Sequence, residues 1–284
     1  MLIADNLTYT IKDYTILKGI KFVIRPGEMV ALLGANGAGK SSLIKLLNAE
    51  YVPSEGAINF CGTDLKSYSA VSLARMRATM AQQHSVSADF SVREVVLMGR
   101  YPHYNSQPHA FDLEAVKQTM ALCGIDHLED RSILSLSGGE KQRVHLARVL
   151  AQLWGQPNAL LLLDEPISAM DIRFQHQTLS IVRALADKNW MVVAVLHDIN
   201  LAAQYADRLF LMKNGRKLMD GTPSEVLNTR NIYTIFGIDV DVQVNPKTLH
   251  TYIVPKALQP TVIHFGHPEE DASAIAQSVV NDII

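Results

Sequence analysis

The sequence predicts an α/β fold with a central, mostly parallel sheet, an antiparallel β region at its start and a helical region in its middle. Three observations carry that prediction. Residues 29–33, 160–163 and 191–196 are short, unbroken apolar runs, the form taken by strands buried on both faces. A helical pattern follows the first run from Lys40, and another, through Leu179, Val182 and Leu185, separates the second run from the third, which is the alternation that builds a parallel sheet. The first 30 residues alternate instead, with Leu7, Tyr9 and Ile11 on one face and Ile20, Phe22 and Ile24 on another, as half-buried antiparallel strands do.

A chain of 284 residues suits one large domain, or one domain with an appendage. With 48% hydrophobic and 19% charged residues, and 26 Lys+Arg against 28 Asp+Glu, neither disorder nor a supercharged tail is expected. The formal charge of -2 gives no global attraction to nucleic acid or anionic lipid. Cys61 and Cys123 are too few for a disulfide framework and lack the paired spacing of a zinc site, which points to a reducing compartment. No run approaches the roughly 20 apolar residues that cross a bilayer. The N-terminus, Met1-Leu2-Ile3-Ala4-Asp5-Asn6, lacks the basic-then-apolar order of a secretory signal. The expected location is the cytoplasm.

Along the chain, the run at 29–33 gives way to a glycine-rich turn and then to Leu43, Ile44, Leu46 and Leu47 at helical spacing. Ser91 with Glu94 forms a capping box ahead of Val95, Val96 and Leu97, and Leu113, Val116 and Met120 lead to Gly124 as a helix stop. The middle of the chain is therefore expected to be mostly helical, over about residues 72–155. Asn214-Gly215, between apolar segments at 208–212 and 217–219, is a hairpin signal. Thr222-Pro223-Ser224-Glu225 opens a further helix with proline at its first position. Beyond Gly237 the pattern weakens. Residues 239–265 are β-branched and proline-punctuated, and 267–284 are acidic and then helical, with Ile275, Val279 and Ile283 four apart.

Gly34-Ala35-Asn36-Gly37-Ala38-Gly39-Lys40-Ser41 fits the phosphate loop G-x-x-x-x-G-K-[ST], and it stands after a predicted strand and before a predicted helix, the context that the motif requires. Glycines let backbone N–H groups curl around phosphate oxygens, the helix N-terminus favours negative charge, Lys40 reaches the β/γ-phosphates and the Ser41 hydroxyl ligates Mg²⁺. A bare glycine-rich turn would not need the lysine and the hydroxyl at those offsets. Residues 160–163 end in Asp164 and Glu165, two carboxylates that are costly at a strand end without a cation nearby. Asp164 is assigned to the metal shell and Glu165 to polarising the attacking water. Leu136-Ser137-Gly138-Gly139-Glu140 reads as a capping box, Ser137 with Glu140, for the helix through Leu146, Leu150 and Leu153. It also reads as a second anion site at a helix N-terminus, and the two readings are compatible.

These motifs in this order resemble the ATP-binding cassette (ABC) family of transporter ATPases, over roughly residues 1–228. The resemblance implies a P-loop NTPase fold, ATP and Mg²⁺ as cofactors, and a head-to-tail homodimer sandwiching two ATP molecules. Residues 229–284 are then a C-terminal extension packed on or following the ATPase domain. ATP would be held by residues 34–41 with Ser42. The partner's Ser137, Gly138, Gly139 and Glu140, together with the D-loop segment Ser168-Ala169-Met170-Asp171, would contact it in trans. The family's glutamine loop falls on Gln82, with Gln83 adjacent, and implies a residue that senses Mg²⁺ and a transmembrane permease. The catalytic glutamate falls on Glu165 and the switch histidine on His197, where the resemblance implies a hydrogen bond to the γ-phosphate. Departures are Ile11 at the offset of the usual adenine-stacking aromatic, with Tyr9 or Tyr14 as substitutes, Ile167 for a threonine, and Met170 for a leucine.

Residues 91–103, ending Gly99-Arg100-Tyr101-Pro102-His103, resemble the importers of iron-siderophore complexes, haem and vitamin B12. Residues 145–154 and 175–179 look most like haemin import ATPases. That resemblance implies an ATPase bound to the cytoplasmic face of the inner membrane through a permease dimer, and served indirectly by a periplasmic binding protein. Ferric siderophore or vitamin B12 is the alternative cargo. Tyr101, His103 and His109 read equally as permease-facing residues or as a solvated loop. Another class is a soluble cassette acting on nucleic acid or ribosomes. DNA-repair relatives insert a long coiled coil between phosphate loop and signature, whereas fewer than 100 residues separate Ser41 from Ser137. Translation relatives usually carry two cassettes, and a single one is legible here. A small-molecule P-loop kinase leaves the LSGGE helix and His197 without a shared role, and an export ATPase is opposed by residues 99–103.

Overall fold

The architecture is that of a computed structural model, which describes residues 1–81 and 88–257. Strands β1 (Leu2–Ile11) and β2 (Tyr14–Ile24) form an antiparallel hairpin, and β3 (Met29–Leu33) runs into the glycine-rich turn before α1 (Lys40–Leu47). Strands β4 (Glu55–Phe60) and β5 (Thr63–Asp64) return to the hairpin and complete an antiparallel sheet of order β2-β1-β4-β5. Helix α2 (Ala70–Met76) leads into β6 (Arg77–Met80), and α3 (Val92–Met98), α4 (Ala110–Leu122) and α5 (Gly138–Leu153) make the helical region. Then come β7 (Leu160–Asp164), α6 (Ile172–Ala186), β8 (Met191–Val195), α7 (Ile199–Tyr205), β9 (Arg208–Lys213) and β10 (Arg216–Gly221). The described chain closes with α8 (Pro223–Val226), α9 (Thr229–Phe236) and the hairpin β11 (Val240–Val244) and β12 (Thr251–Pro255).

The apolar runs occupy the middle of the larger sheet, whose order is β10-β9-β3-β8-β7-β6. Its pairs are parallel at β3–β8, β3–β9, β6–β7 and β7–β8, and antiparallel at β9–β10. Successive side chains of a strand point to opposite faces, so each run feeds two cores. Met29, Ala31 and Leu33 pack with Leu161, Leu163, Val192 and Ala194 toward the helical region. Val30 and Leu32 pack with Leu160, Leu162, Val193 and Val195 toward α1 and the antiparallel sheet. Every residue of β3, β7 and β8 is buried, which is why these segments read as unbroken rather than alternating. The Asn214-Gly215 hairpin forms with both residues at positive φ, 50° and 74°, the backbone that a tight primed turn demands.

Three expectations shift. Residues 77–80, inside the span expected to be helical, form β6 and pair in parallel with β7, so the larger sheet reaches into that span. In β1, register shifts fall between Ala4 and Leu7, Leu7 and Tyr9, and Tyr9 and Thr10, with Asn6 at φ 51°. Each bulge resets the alternation, so Leu7 is buried while Ile11 is 45% exposed. Past Gly237 the weak pattern resolves into β11 and β12, which dock on α7 as the Asn200 side chain both donates to the Ile253 carbonyl (3.1 Å) and accepts from its N–H (2.8 Å). The helical pattern through Ile275, Val279 and Ile283 lies outside the described residues, as does Gln82. Cys61 and Cys123 are both free thiols.

Segment 99–103 is fastened rather than loose. Arg100, 2% exposed, donates from Nε to Asp112 Oδ1 (2.8 Å) and from Nη1 to the Ala151 carbonyl (2.7 Å). His103 Nε2 lies 2.7 Å from the Gln152 carbonyl, and burial holds its pKa below the usual histidine value. Tyr101 projects outward at 59% exposure.

Candidate active site

The phosphate loop joins the C-terminal end of β3 to α1, with Gly39 at the helix N-cap in the left-handed region (φ 99°). Glycine is required there and at Gly34: a Cβ would come within 2.7 Å of Leu17 Cδ2 at Gly39 and within 2.3 Å of the Met212 carbonyl oxygen at Gly34. The first turn of α1 has no side-chain cap, so its orphan N–H groups, which have no intrahelical acceptor, stay open toward the loop. Lys40 is 7% exposed and donates to the loop carbonyls of Gly34 (2.7 Å) and Ala35 (3.1 Å). Burial pulls its pKa down, and the nearby Glu165 and Asp164 charges partly restore it.

Asp164, the last residue of β7, is 7% exposed, and its Oδ1 has no hydrogen-bond partner. Burial raises its pKa, with the Glu165 charge acting in the same direction, while a hydrogen bond from Ser41 and the charges of Lys40 and Lys45 oppose the rise. A buried carboxylate oxygen left open beside a serine hydroxyl is a donor set for a hard divalent cation, and Mg²⁺ on a nucleotide fits it. Ser41 and Asp164, predicted separately, are thus brought together.

Glu165 sits at φ 56°, a left-handed backbone that a non-glycine residue seldom adopts. That conformation turns its side chain toward the end of β8, where Oε1 lies 2.6 Å from His197 Nε2. The predicted base and the predicted switch histidine therefore meet directly. Sequence reasoning did not assign Gln142. Its side chain donates to the Glu165 carbonyl (3.1 Å) and accepts from the Ala169 N–H (3.2 Å), tying α5 to the turn that carries Glu165. The available signal was a polar residue inside the LSGGE helix, one turn past its cap.

Ser137 caps α5, and Glu140 closes the box: its Oε2 accepts from the Ser137 N–H (2.8 Å) and hydroxyl (2.7 Å), while Ser137 Oγ accepts from the Glu140 N–H (3.3 Å). The Ser137 side-chain bond, seconded by its backbone N–H, keeps the Glu140 carboxyl below the usual range. Asp171 likewise caps α6 by accepting from the Phe174 N–H (3.1 Å). Ser137, Gly138, Gly139, Glu140 and Asp171 line one open cavity of about 520 Å³, to which none of residues 34–41 contributes. Within one chain the two predicted halves of the site stay apart. Ile167 and Met170, the two departures, are both 7% exposed and fill packing positions. Of the aromatic candidates for adenine, Tyr9 is committed to stacking on Tyr51 (4.9 Å between centroids), whereas Tyr14 stands 75% exposed.

A loop of this kind at the end of one parallel strand, set against carboxylates at the end of the next strand but one, with β8 between them, is the nucleotide site of a P-loop ATPase. Comparison with known proteins says which kind. The ABC transporter family model matches residues 17–168, and the chain belongs to that family. It is 44% identical to the hemin import ATP-binding protein HmuV of Pseudomonas aeruginosa over 257 residues, 90% of this chain and 100% of that one. With the HmuV of Pseudomonas entomophila the identity is 46% over the same shares. Among solved structures, a metal-chelate type ABC transporter in an inward-facing conformation aligns with a TM-score of 0.75 and 29% identity, over 90% of this chain and 97% of that chain. No helix among the described residues is long and apolar enough to cross a membrane.

Proposed function

We propose that this chain is the ATP-hydrolysing subunit that energises a haem importer. The observation that carries the cargo is the 44% identity to a hemin import ATP-binding protein over 90% of the chain. The observation that supports the chemistry is the meeting of Glu165 with His197 beside the buried, open Asp164 Oδ1. The N–H groups of residues 34–41 and the Lys40 ammonium receive the phosphates, and Ser42 extends that cradle. Ser41 and Asp164 hold Mg²⁺, which when bound spreads the charge that develops on the phosphates. Glu165 takes a proton from water at Oε1, and His197, paired with that carboxylate, orients it and senses the γ-phosphate. Ser137, Gly138 and Gly139 of a second copy complete the site in trans, with Asp171 at the same edge. Glu140 serves there by holding the cap rather than by touching nucleotide.

The assembly is a homodimer on the cytoplasmic face of the membrane, joined to a permease dimer near Gln82 and the helical region and served by a periplasmic binding protein. Residues 1–228 are the ATP-binding domain and 229–284 an extension, whose described part docks on α7 just beyond His197. The test is ATP hydrolysis by this chain with its co-expressed permease in lipid vesicles. Stimulation by a haem-loaded binding protein alone supports the reading. Stimulation only by a siderophore-loaded one moves the cargo and keeps the cassette.

A further inference from the structure

Helix α7 is short, Ile199–Tyr205 (7 residues), and a helix of about two turns is not stable by itself. Its placement is therefore set by what it packs on. The first turn is capped from within, because Asp198 accepts from the N–H groups of Asn200 (2.8 Å) and Leu201 (2.9 Å). The Asn200 side chain is left for another partner, and its amide goes to the C-terminal extension: Nδ2 donates to the Ile253 carbonyl (3.1 Å) and Oδ1 accepts from the Ile253 N–H (2.8 Å). Among the described residues β12 pairs with no strand but β11. The amide thus gives the other edge of β12 the donor and acceptor that a neighbouring strand would offer. Behind this clasp, Ile253 and Val240 are buried in one core with Leu201, Ala202 and Ala203 of α7.

The grip is uneven along the helix. Toward its far end, Gln204 and Tyr205 line a cavity of about 310 Å³ together with Leu249 and His250, so the two elements part there. The hairpin holds α7 at the end next to His197. That histidine stands in the connection 196–198 between β8 and α7. On its strand side the Leu196 N–H donates to the Leu32 carbonyl (3.2 Å), and on its helix side comes the turn that Asn200 fastens. The His197 side chain is 49% exposed, so packing supports only part of the imidazole. Its place 2.6 Å from Glu165 Oε1 depends on these two anchors, and a displacement of about 1 Å is enough to spoil a catalytic geometry.

We infer that Asn200 is a positioning residue for ATP hydrolysis: by clasping β12 it holds the first turn of α7, and with it His197, within hydrogen-bonding distance of Glu165. The hairpin β11–β12 is then a strut of the catalytic site, and the extension acts on turnover as well as on stability. The inference rests on the reading of His197 as the residue that orients Glu165.

The test is steady-state ATP hydrolysis by the full chain with its co-expressed permease, well below the melting transition, for wild type, Asn200→Ala, Asn200→Gln, Gln204→Ala, His197→Ala and the double variant Asn200→Ala with His197→Ala. Asn200→Ala loses both hydrogen bonds and should lower kcat about five- to tenfold with the KM for ATP unchanged. Asn200→Gln keeps the amide and should recover part of the loss. Gln204→Ala, on the same helix beside the cavity, should keep the wild-type kcat. In the His197→Ala background, followed to its residual rate, Asn200→Ala should lower kcat no further, because no imidazole is left to place. A role confined to the fold would lower the melting temperature of Asn200→Ala and leave the kcat of the folded protein at the wild-type value, which overturns the inference. Losses that multiply in the double variant, or a Gln204→Ala as slow as Asn200→Ala, overturn it too and leave the reading of His197 standing. A His197→Ala variant with full turnover overturns both.

Discussion

At the ends of β3 and β7 the fold leaves polar groups open, whereas at the start of α5 it closes them on themselves. The open region holds the uncapped first turn of α1, the partnerless Asp164 Oδ1 and the left-handed Glu165. The closed region holds a reciprocal capping box of Ser137 with Glu140 and a second cap at Asp171. Open groups cost stability in the empty chain and are repaid by a ligand, so they mark where phosphates and their cation enter. A capped helix spends its own side chains on its own backbone and presents only what remains, the glycine N–H groups. The two regions are thus complementary rather than equivalent, which is what a site shared between two copies requires.

Five variants at four positions break or sharpen this contrast. The largest effect is expected from Glu165→Gln, which keeps the shape and removes the base: turnover should fall by about 10²–10⁴-fold while ATP binding, followed by a fluorescent nucleotide, persists. Brisk hydrolysis by that variant would take the base away from Glu165. Gln142→Ala comes next. It removes both hydrogen bonds that hold the turn carrying Glu165, and a steady-state assay should give a kcat about tenfold lower with the KM for ATP unchanged. A change confined to KM would make Gln142 a binding residue instead.

Asp164→Asn separates stability from function. Burial raises the Asp164 pKa in the folded chain, so the unfolded chain ionises it more readily, and above the ordinary aspartate value of about 3.9 the charged group subtracts from stability. That penalty fades as pH falls through the raised folded value. The variant should therefore melt about 2 °C or more above wild type near neutral pH without metal, yet lose its Mg²⁺-dependent turnover. A lower melting temperature would mean that Asp164 is paired in the empty chain.

The smallest effect belongs to the closed region. Glu140→Gln preserves the capping box and should be close to neutral in thermal melts, whereas Glu140→Ala opens it and should cost about 1 kcal/mol or less. The carboxyl of Glu140 is held below its usual range, so its contribution is present above the unfolded value and is lost as pH falls through the folded one. Equal melting of the glutamine and alanine variants would remove the cap from the account of α5.

Much of this site is legible from residue type and spacing. The loop at 34–41, the carboxylates at 164–165 and the box at 137–140 are local patterns, each set by a turn or a helix start that few residues specify. Ile11 shows where local reading stops. Its predicted face depended on strict alternation, and the bulges of β1 shifted the phase before the strand reached it. The strand Arg77–Met80 was hidden for a related reason, since four residues carry too little periodicity to be told from the helix that precedes them. Gln142 has no role legible in the sequence, because its two partners lie 23 and 27 positions away.

The sequence by itself determined the buried strands at 29–33, 160–163 and 191–196, the phosphate loop, the carboxylate pair and the family, because these rest on contacts between neighbours along the chain. Only the tertiary structure decided that Glu165 faces His197 from a left-handed backbone and that Asp164 keeps one oxygen free beside Ser41. It alone decided that Gln142 braces the catalytic turn. Each of these depends on which side chains meet across the sheet and how little water reaches them, and distance along the chain encodes neither.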